Sequence, residues 1–518
     1  MTRATRLGIL MSILAVAVRL IGINQPYIDN WSWRQGDVAA IARNYFQGDF
    51  HFAHPQIDWA GDTPGYVGTE FPILPFVAAI CYKIFGVHEW IGRIQAVILF
   101  ALSLPFFFLL VRKIFGEIAA VWALFFYSFA PLGIMTGRCF MPDMPSLALS
   151  IIGLYFFQRW IKESARESPA RSTSFFVAAI AISLSILIKL PSILIGAPLA
   201  CLAFQRFSIP PLRSQTRRGE LGAAFRNLSL WSFGALALLP SALWYGHAYQ
   251  IALQFYPHHF FGAGGVQIMS AAWYLKIVKE IVTSTLTPFV FVLGSVGVLV
   301  TRTCPERQSN GSIPRPRDAA RMFHWWLAAM ILFIVIVGYG NRHQWYQLPL
   351  IPIAAVFAGV TCVFVGSKIS SRVVKRSLSI LLAALFSFSV FVYARGFYRP
   401  SAAPLRDAGL KLKAVTPSNA LVAAADNGDP TVLYYAERKG WHFLEKNGIY
   451  DGEPRDSTQA IVDLEELRNR GAGYLVFTSN TSWWVDYYAQ FRQHVEATSS
   501  LVAATPEFKI YQLSPVSK

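Results

Sequence analysis

From Gly92 to Thr136 the chain reads GRIQAVILFALSLPFFFLLVRKIFGEIAAVWALFFYSFAPLGIMT. It holds two apolar runs, 92–111 and 117–136, each about as long as a helix needs to cross the hydrocarbon core of a bilayer. Arg112 and Lys113 sit between them. This is the pattern of a helical hairpin whose basic turn faces the cytoplasm. Outward from it, comparable runs occupy 7–23, 145–161, 174–188, 192–206, 229–247, 282–301, 323–340, 348–366 and 376–394. Together they predict an all-α polytopic domain of about 11 transmembrane helices. The stretch 174–206 is interrupted only by Lys189-Leu190-Pro191-Ser192, which reads as a hairpin turn.

Composition agrees with this reading. Hydrophobic residues make up 54% of the 518 residues and charged residues only 14%, too apolar a balance for a soluble chain of this length. The net charge of +17 is spread in short clusters between apolar runs, which excludes a basic nucleic-acid-binding domain. Those clusters orient the chain. Arg3 and Arg6, Arg112 and Lys113, Lys162 with Arg166 and Arg171, Arg206 to Arg218, Arg302 to Arg321, and Lys368 to Arg376 are all expected inside. The loops 24–91, 137–144, 248–281, 341–347 and the tail are then outside. Pro72 to Gly86 is apolar but only 15 residues long and carries Lys83, so it is read as a re-entrant or juxtamembrane helix. Residues 7–23 are read as an uncleaved first span, since no small-residue cleavage site follows. The five cysteines are scattered and suggest neither a disulfide framework nor a metal site.

These features divide the chain into a membrane domain, 1–395, with a first outer loop at 24–91, and a soluble extracytoplasmic α/β domain, 396–518. In the tail, Leu421–Ala425, Gly473–Thr478 and Phe508–Leu513 read as strands and Thr458–Arg470 as an amphipathic helix. Asp426-Asn427-Gly428-Asp429 resembles a carboxylate cluster, but Asx and Gly after a strand more often make a turn, and it is read as one. The protein is expected in the cell (inner) membrane, with its amino terminus cytoplasmic and its tail periplasmic.

The outer loops hold the residues suited to chemistry. Asp29 follows the first span closely and is placed near lipid phosphate level. Between Gln35 and Gln47, Val38, Ile41, Ala42 and Tyr45 recur at helical spacing, predicting an amphipathic helix on the outer surface, with Trp31 and Trp33 at the same interface. Asp37 is either a catalytic carboxylate or the cap of that helix. Glu70, directly before the apolar 72–86 segment, is an ionisable group at membrane depth, or a favourable charge at a helix start. Arg138 suits a phosphate fork, and Asp143 is a site carboxylate or a helix cap. His258 and His259 are hydrogen-bond donors or a ligand pair lacking a third member. Arg342, His343 and Tyr346 crowd the mouth of one span, and Lys189 is a further candidate.

In this order, Ile41-Ala42-Arg43, Glu70-Phe71-Pro72, Phe85-Gly86 through Arg93, Arg138 to Asp143 and Tyr346-Gln347-Leu348-Pro349 resemble the GT-C membrane glycosyltransferases. The resemblance, over roughly residues 7–400, is to bacterial relatives of protein O-mannosyltransferases and of aminoarabinose transferases acting on lipid A. It implies a polyprenyl-phosphate-sugar donor, a lipid, glycan or protein acceptor, and inverting transfer with a first-loop carboxylate as base. Relatives often carry an Asp-Glu pair about seven residues before the Ile-Ala-Arg, where this chain has Arg34-Gln35. The base is then Asp29 or Asp37, with Asp29 preferred for its closeness to the membrane. A Lys-Pro-Pro common in relatives appears here as Glu70-Phe71-Pro72, so Arg34, Arg138 or Arg342 must hold the donor phosphate. A divalent metal is allowed but not demanded. The alternatives are a polysaccharide polymerase or ligase, and a non-enzymatic polyprenyl-lipid flippase.

Overall fold

The computed structural model describes all residues except 165–170, 208–226, 261–265, 304–315, 339–341, 447–448 and 516–518. Arg166, Asn341, most of the Arg206–Arg218 cluster and much of the Arg302–Arg321 cluster lie outside the described residues. In chain order the first helices are α1 (Arg3–Leu20), α2 (Ser32–Gln47), α3 (Ile73–Phe85), α4 (Glu89–Phe115), α5 (Glu117–Phe129), α6 (Pro131–Thr136), α7 (Asp143–Ser164) and α8 (Arg171–Ile188). A 3₁₀ turn, Leu190–Ile195, leads to α9 (Gly196–Phe207), followed by α10 (Leu228–Gln254), α11 (Ala271–Glu280), a π turn at Ile281–Thr285, α12 (Pro288–Thr303), α13 (Pro316–Ile336), α14 (Leu350–Lys368) and α15 (Arg372–Ala394).

Every apolar run read in the sequence holds a helix. Among the described residues five helices are long and apolar enough to cross a membrane by length and composition, and six if Ala271–Thr285 and Pro288–Arg302, bent by 106°, form one span. α3, at 13 residues, is too short to cross. The other runs fall below this standard where proline shortens them or charge interrupts them. Pro131 ends α5 and opens α6, because proline lacks the N–H that would continue the ladder. α1 carries Arg19 near its end. That arginine is fully buried and donates to the carbonyls of Ala15, Ser128 and Gly133, with its guanidinium over the Phe100 ring. An intramembrane charge is tolerated only when its donors are satisfied in this way.

Contacts divide the chain into two compact units, drawn differently from the linear boundary at 395. One holds Met1–Gly22, Ile94–Trp244 and Gly262–Arg395; the other gathers Ile23–Arg93, Tyr245–Phe261 and Gly396–Lys518. The first outer loop thus belongs with the tail. In the tail, α16 (Ala403–Val415), β1 (Leu421–Ala425), α17 (Thr431–Ala436), β2 (Lys439–His442), β3 (Glu445–Lys446), β4 (Ile449–Tyr450), α18 (Ser457–Asn469), β5 (Ala472–Thr478), α19 (Trp483–Tyr487), α20 (Ala489–Thr498), β6 (Ser499–Ala504) and β7 (Phe508–Leu513) follow in order. The main sheet has strand order β2-β1-β5-β7-β6, with β1 parallel to β2 and β5, and β7 antiparallel to β5 and β6.

Strand alternation assigns the two faces of β1. Val422 and Ala424 pack with α16, α17 and the first-loop residues Ile41, Tyr45, Ile57 and Trp59. Ala423 and Ala425 pack with Trp441, α18 and α20. The loop also covers the edge of the sheet: Gly61 N–H donates to Gly440 O at 2.7 Å and Gly440 N–H to Asp58 O at 3.0 Å, which gives β2 a main-chain partner on its open side. α2 is therefore not the surface helix its amphipathic pattern predicts. It is buried on nearly every face, and Trp31 packs against Phe397 rather than at a lipid interface. The polar face that periodicity assigns to water is spent on ion pairs within this unit.

Candidate active site

In the unit built from the first loop and tail, α2 presents Arg34, Gln35, Asp37 and Arg43. Asp29, just before it, is fully buried; its carboxylate accepts from Gln35 Nε2 at 2.6 Å and pairs with Arg93 at 3.4 Å. Arg93, equally buried, also donates to the carbonyls of Ile23, Gln25 and Pro26. Asp29 is thus half of an anchor that fixes the start of the loop, which weakens its preference as base. Arg34 is likewise committed: its Nη2 lies 2.7 Å from Glu70 Oε1, and Thr69 Oγ1 donates to the other Glu70 oxygen at 3.0 Å. The two sequence candidates Arg34 and Glu70 thus form one buried ion pair.

Asp37 has different surroundings. Its side chain is buried and Oδ1 accepts from Trp59 Nε1 at 2.9 Å. Burial pushes its carboxyl up to about 6, against the Trp59 hydrogen bond and the charges of Arg34 and His442. His442, the last residue of β2, is bonded through Nδ1 to Asp426 at 2.8 Å. Burial disfavours its charge, but Asp426, then Asp37 and Asp429, hold its pKa above the ordinary histidine value. The Trp59 ring lies against His442, with centroids 5.1 Å apart, and against His259 at 5.5 Å. Asp429 accepts from Ser32 Oγ at 2.8 Å and from Thr431 N–H. His259 is half-buried and its pKa falls to about 4, first through desolvation and then through Arg34. His258 turns elsewhere, its Nδ1 on Ala252 O at 3.1 Å, so the two adjacent histidines do not act as a pair. Two more ion pairs stiffen the loop: Asp58 accepts from Arg43, Lys439 and Asn44, and despite burial the two cations, with these hydrogen bonds, hold its pKa below the usual value.

The helical unit brings together three other sequence candidates. Asp143 opens α7 and pairs with Lys189 at 3.5 Å, both nearly buried, and the Lys189 ammonium lies 4.9 Å from the Tyr346 ring centroid. They line a narrow pocket of about 30 Å³ with Ser192, Trp345 and Pro349. The same 3₁₀ turn contributes Ile193 and Ile195 to a neighbouring cavity of about 360 Å³, walled by Phe157, Ile186, Leu199 and Trp231. Arg138 is fully buried and donates to Gly22 O at 3.2 Å. Arg342 is exposed, its Nε 3.3 Å from His343 Nε2, and the His343 ring stacks on Trp345 with centroids 4.5 Å apart.

Several members of these clusters escape a reading by motif. Asp426 and Asp429 lie in a tetrapeptide that reads as a turn, and they are in fact both turn residues and buried charges. His442, Trp59, Arg93 and Asp58 have no spacing signature. Fold contacts bring them in, across 15 to 64 residues for Asp58, Trp59 and Arg93 and across hundreds for His442. Among the described residues no three His, Cys, Asp or Glu side chains are grouped to hold a metal ion.

Residues 63–213 match the family described as dolichyl-phosphate-mannose-protein mannosyltransferase. No curated protein matches the chain significantly. Among solved structures, ArnT from Cupriavidus metallidurans bound to undecaprenyl phosphate is similar at a TM-score of 0.61 and 16% identity, over 97% of each chain. The Archaeoglobus fulgidus oligosaccharyltransferase in its apo form is similar at a TM-score of 0.62 and 14% identity, over 99% of this chain and 74% of that one. The same archaeal enzyme, AglB, in complex with an inhibitory peptide and a dolichol-phosphate, gives 0.59 at 14% identity, over 98% of this chain and 74% of that one. With its apolar helices and its tail sheet, the chain shares the fold of these solved structures, which is of the GT-C type.

Proposed function

We propose that the protein transfers a sugar from a polyprenyl-phosphate donor to a hydroxyl of an extracytoplasmic lipid, glycan or protein, with inversion. The observation that carries this reading is the Lys189–Asp143–Tyr346 pocket beside an apolar cavity, in a fold shared with an enzyme that binds undecaprenyl phosphate. A cation next to a greasy cleft matches the two ends of a polyprenyl phosphate. The donor is a phosphodiester, and its departure as a phosphate monoester adds negative charge, which a preorganised cation stabilises. Lys189 supplies that cation, and Asp143 holds it in place.

The acceptor needs a base. Within the unit of the first loop and tail, Asp37 is the carboxylate suited to take an acceptor hydroxyl's proton as the acceptor oxygen bonds the anomeric carbon and the anomeric carbon–phosphate oxygen bond breaks. The proton later passes to solvent. A carboxyl with a pKa of about 6 is ionised at neutral pH yet more basic than an ordinary aspartate, as a general base should be. The membrane orientation that goes with this chemistry has the amino terminus inside and the tail outside, as the basic loops require.

The test uses the purified full chain in lipid nanodiscs with polyprenyl phosphate carrying a labelled sugar. Release of polyprenyl phosphate together with labelled acceptor is the expected result. Movement of intact labelled lipid across a proteoliposome bilayer, with the sugar–phosphate bond unbroken, would replace the transferase by a flippase.

A further inference from the structure

The tail sheet has a topological switch at β1. The chain leaves β1 through α17 to β2 on one side, then returns through α18 to β5 on the other. In open sheets with parallel strands, sites form outside the carboxyl ends of the strands at such a point. Asp426 directly follows β1 and His442 ends β2, so both stand at that edge. The first loop brings Trp59 and Asp37 to the same place: the Trp59 indole donates to Asp37 while its ring lies against His442.

The charges there are arranged in alternation. Asp426 faces His442 at 2.8 Å, and His442 acts electrostatically on Asp37. Asp37 is also faced by Arg34 and by Asp429, and His442 by Asp429, His259 and the Tyr450 ring. Arg34, itself paired with Glu70 at 2.7 Å, is the larger of the two cations acting on Asp37. His442 is the other cation acting on the buried Asp37 carboxylate.

We propose that His442, held by Asp426, is a positioning residue for Asp37: beside Arg34, it supplies counter-charge that helps keep the buried carboxylate ionised, so the tail domain tunes the working range of the base. The inference rests on Asp37 as the base of the transfer proposed above. It gives the tail a catalytic duty that no motif within it announces, and it explains why a histidine is buried among three carboxylates. Asp429 acts in the opposite sense, since its charge opposes ionisation of Asp37.

The experiment measures kcat/KM against pH for the full chain in nanodiscs with the labelled polyprenyl donor. Wild type should lose activity as pH falls through about 6. His442→Gln should move that midpoint upward by on the order of one pH unit while leaving the donor KM unchanged. Asp426→Asn should move it the same way, and provides the test if His442→Gln does not fold. Asp429→Asn should move it downward. A midpoint unchanged in folded His442→Gln and Asp426→Asn overturns the proposal. If wild type turns over no donor at any pH, the transferase reading fails, and the coupling is read from unfolding instead. Asp37→Asn should raise the melting temperature at pH 7.5 more in the His442→Gln background than in wild type, and equal increments refute the coupling.

Discussion

Asp37 carries a charge that its surroundings disfavour, and this separates it from Asp29. Asp29 is bonded on both oxygens, whereas Asp37 accepts through Oδ1 from Trp59. Its pKa rises from 3.8 to about 6, so the folded state binds a proton more tightly than the unfolded chain. Stability therefore falls as pH rises between those values, and above pH 6 the full penalty, about 3 kcal/mol, is present. Asp37→Asn should thus stabilise the protein at pH 7.5 by up to about 3 kcal/mol, and hardly at all at pH 4, while kcat drops by roughly 10²–10⁴. Thermal unfolding at both pH values, beside turnover, checks this. For the donor side, Lys189→Met combined with Asp143→Asn removes the charge without stranding the carboxylate. Polyprenyl phosphate, used as a competitor, should then bind roughly ten- to hundredfold more weakly, the loss of one charged hydrogen bond. The sequence makes both carboxylates of the first loop visible and favours Asp29 for its closeness to the span; the Arg93 that pairs with Asp29 is 64 residues away, and no local spacing announces that pairing.

At the scale of elements, apolar length carries most of the information. Each helix of the bundle except α11, which lies in the stretch 248–281 read as an outer loop, sits on a run that hydropathy alone reveals, and β1, β5, β7 and α18 fall where alternation and periodicity put them. β2 is invisible by comparison: Lys439-Gly440-Trp441-His442 has no strand signature, and it is a strand because β1 and the first loop pair with it on either side. α2 shows the same limit, since its period is read correctly but the partner that buries its polar face is not. Gly61 is where the loop meets this edge. Its φ of +60° and its place 1.9 Å from the Trp441 ring, measured from a would-be Cβ, leave room for glycine alone. Gly61→Ala should cost about 2–5 kcal/mol from strain and overpacking together. Limited proteolysis should then cut within the tail, at a rate that wild type resists.

For the whole molecule, the pattern of basic loops predicts a tail on the extracytoplasmic side. Alkaline phosphatase fused at the carboxyl terminus should be active in cells, and a reporter that works only in the cytoplasm should be silent there. The reverse pattern would invert every loop and remove Asp37 from the face where the acceptor is expected. The sequence also carries the fold at large, since order and spacing of weak motifs on an apolar chain point to the GT-C architecture that the structural similarity bears out. The grouping of the first loop with the tail is not legible, because nothing local marks which loop a distant domain will clasp.

That clasp has a consequence for synthesis. The loop covers β2 through contacts such as Lys439 to Asp58, partners 381 residues apart in the chain. At ribosomal speeds of about 5–20 residues per second, the loop exists for on the order of 20–75 s before its cover is made. During that interval Ile57 and Trp59 lack the strands they will pack against, and Arg43 and Asp58 lack Lys439. Nascent chains that stall or are cleaved before residue 439 keep an uncovered loop for life, and pulse-labelling should find these fragments degraded well before the finished protein.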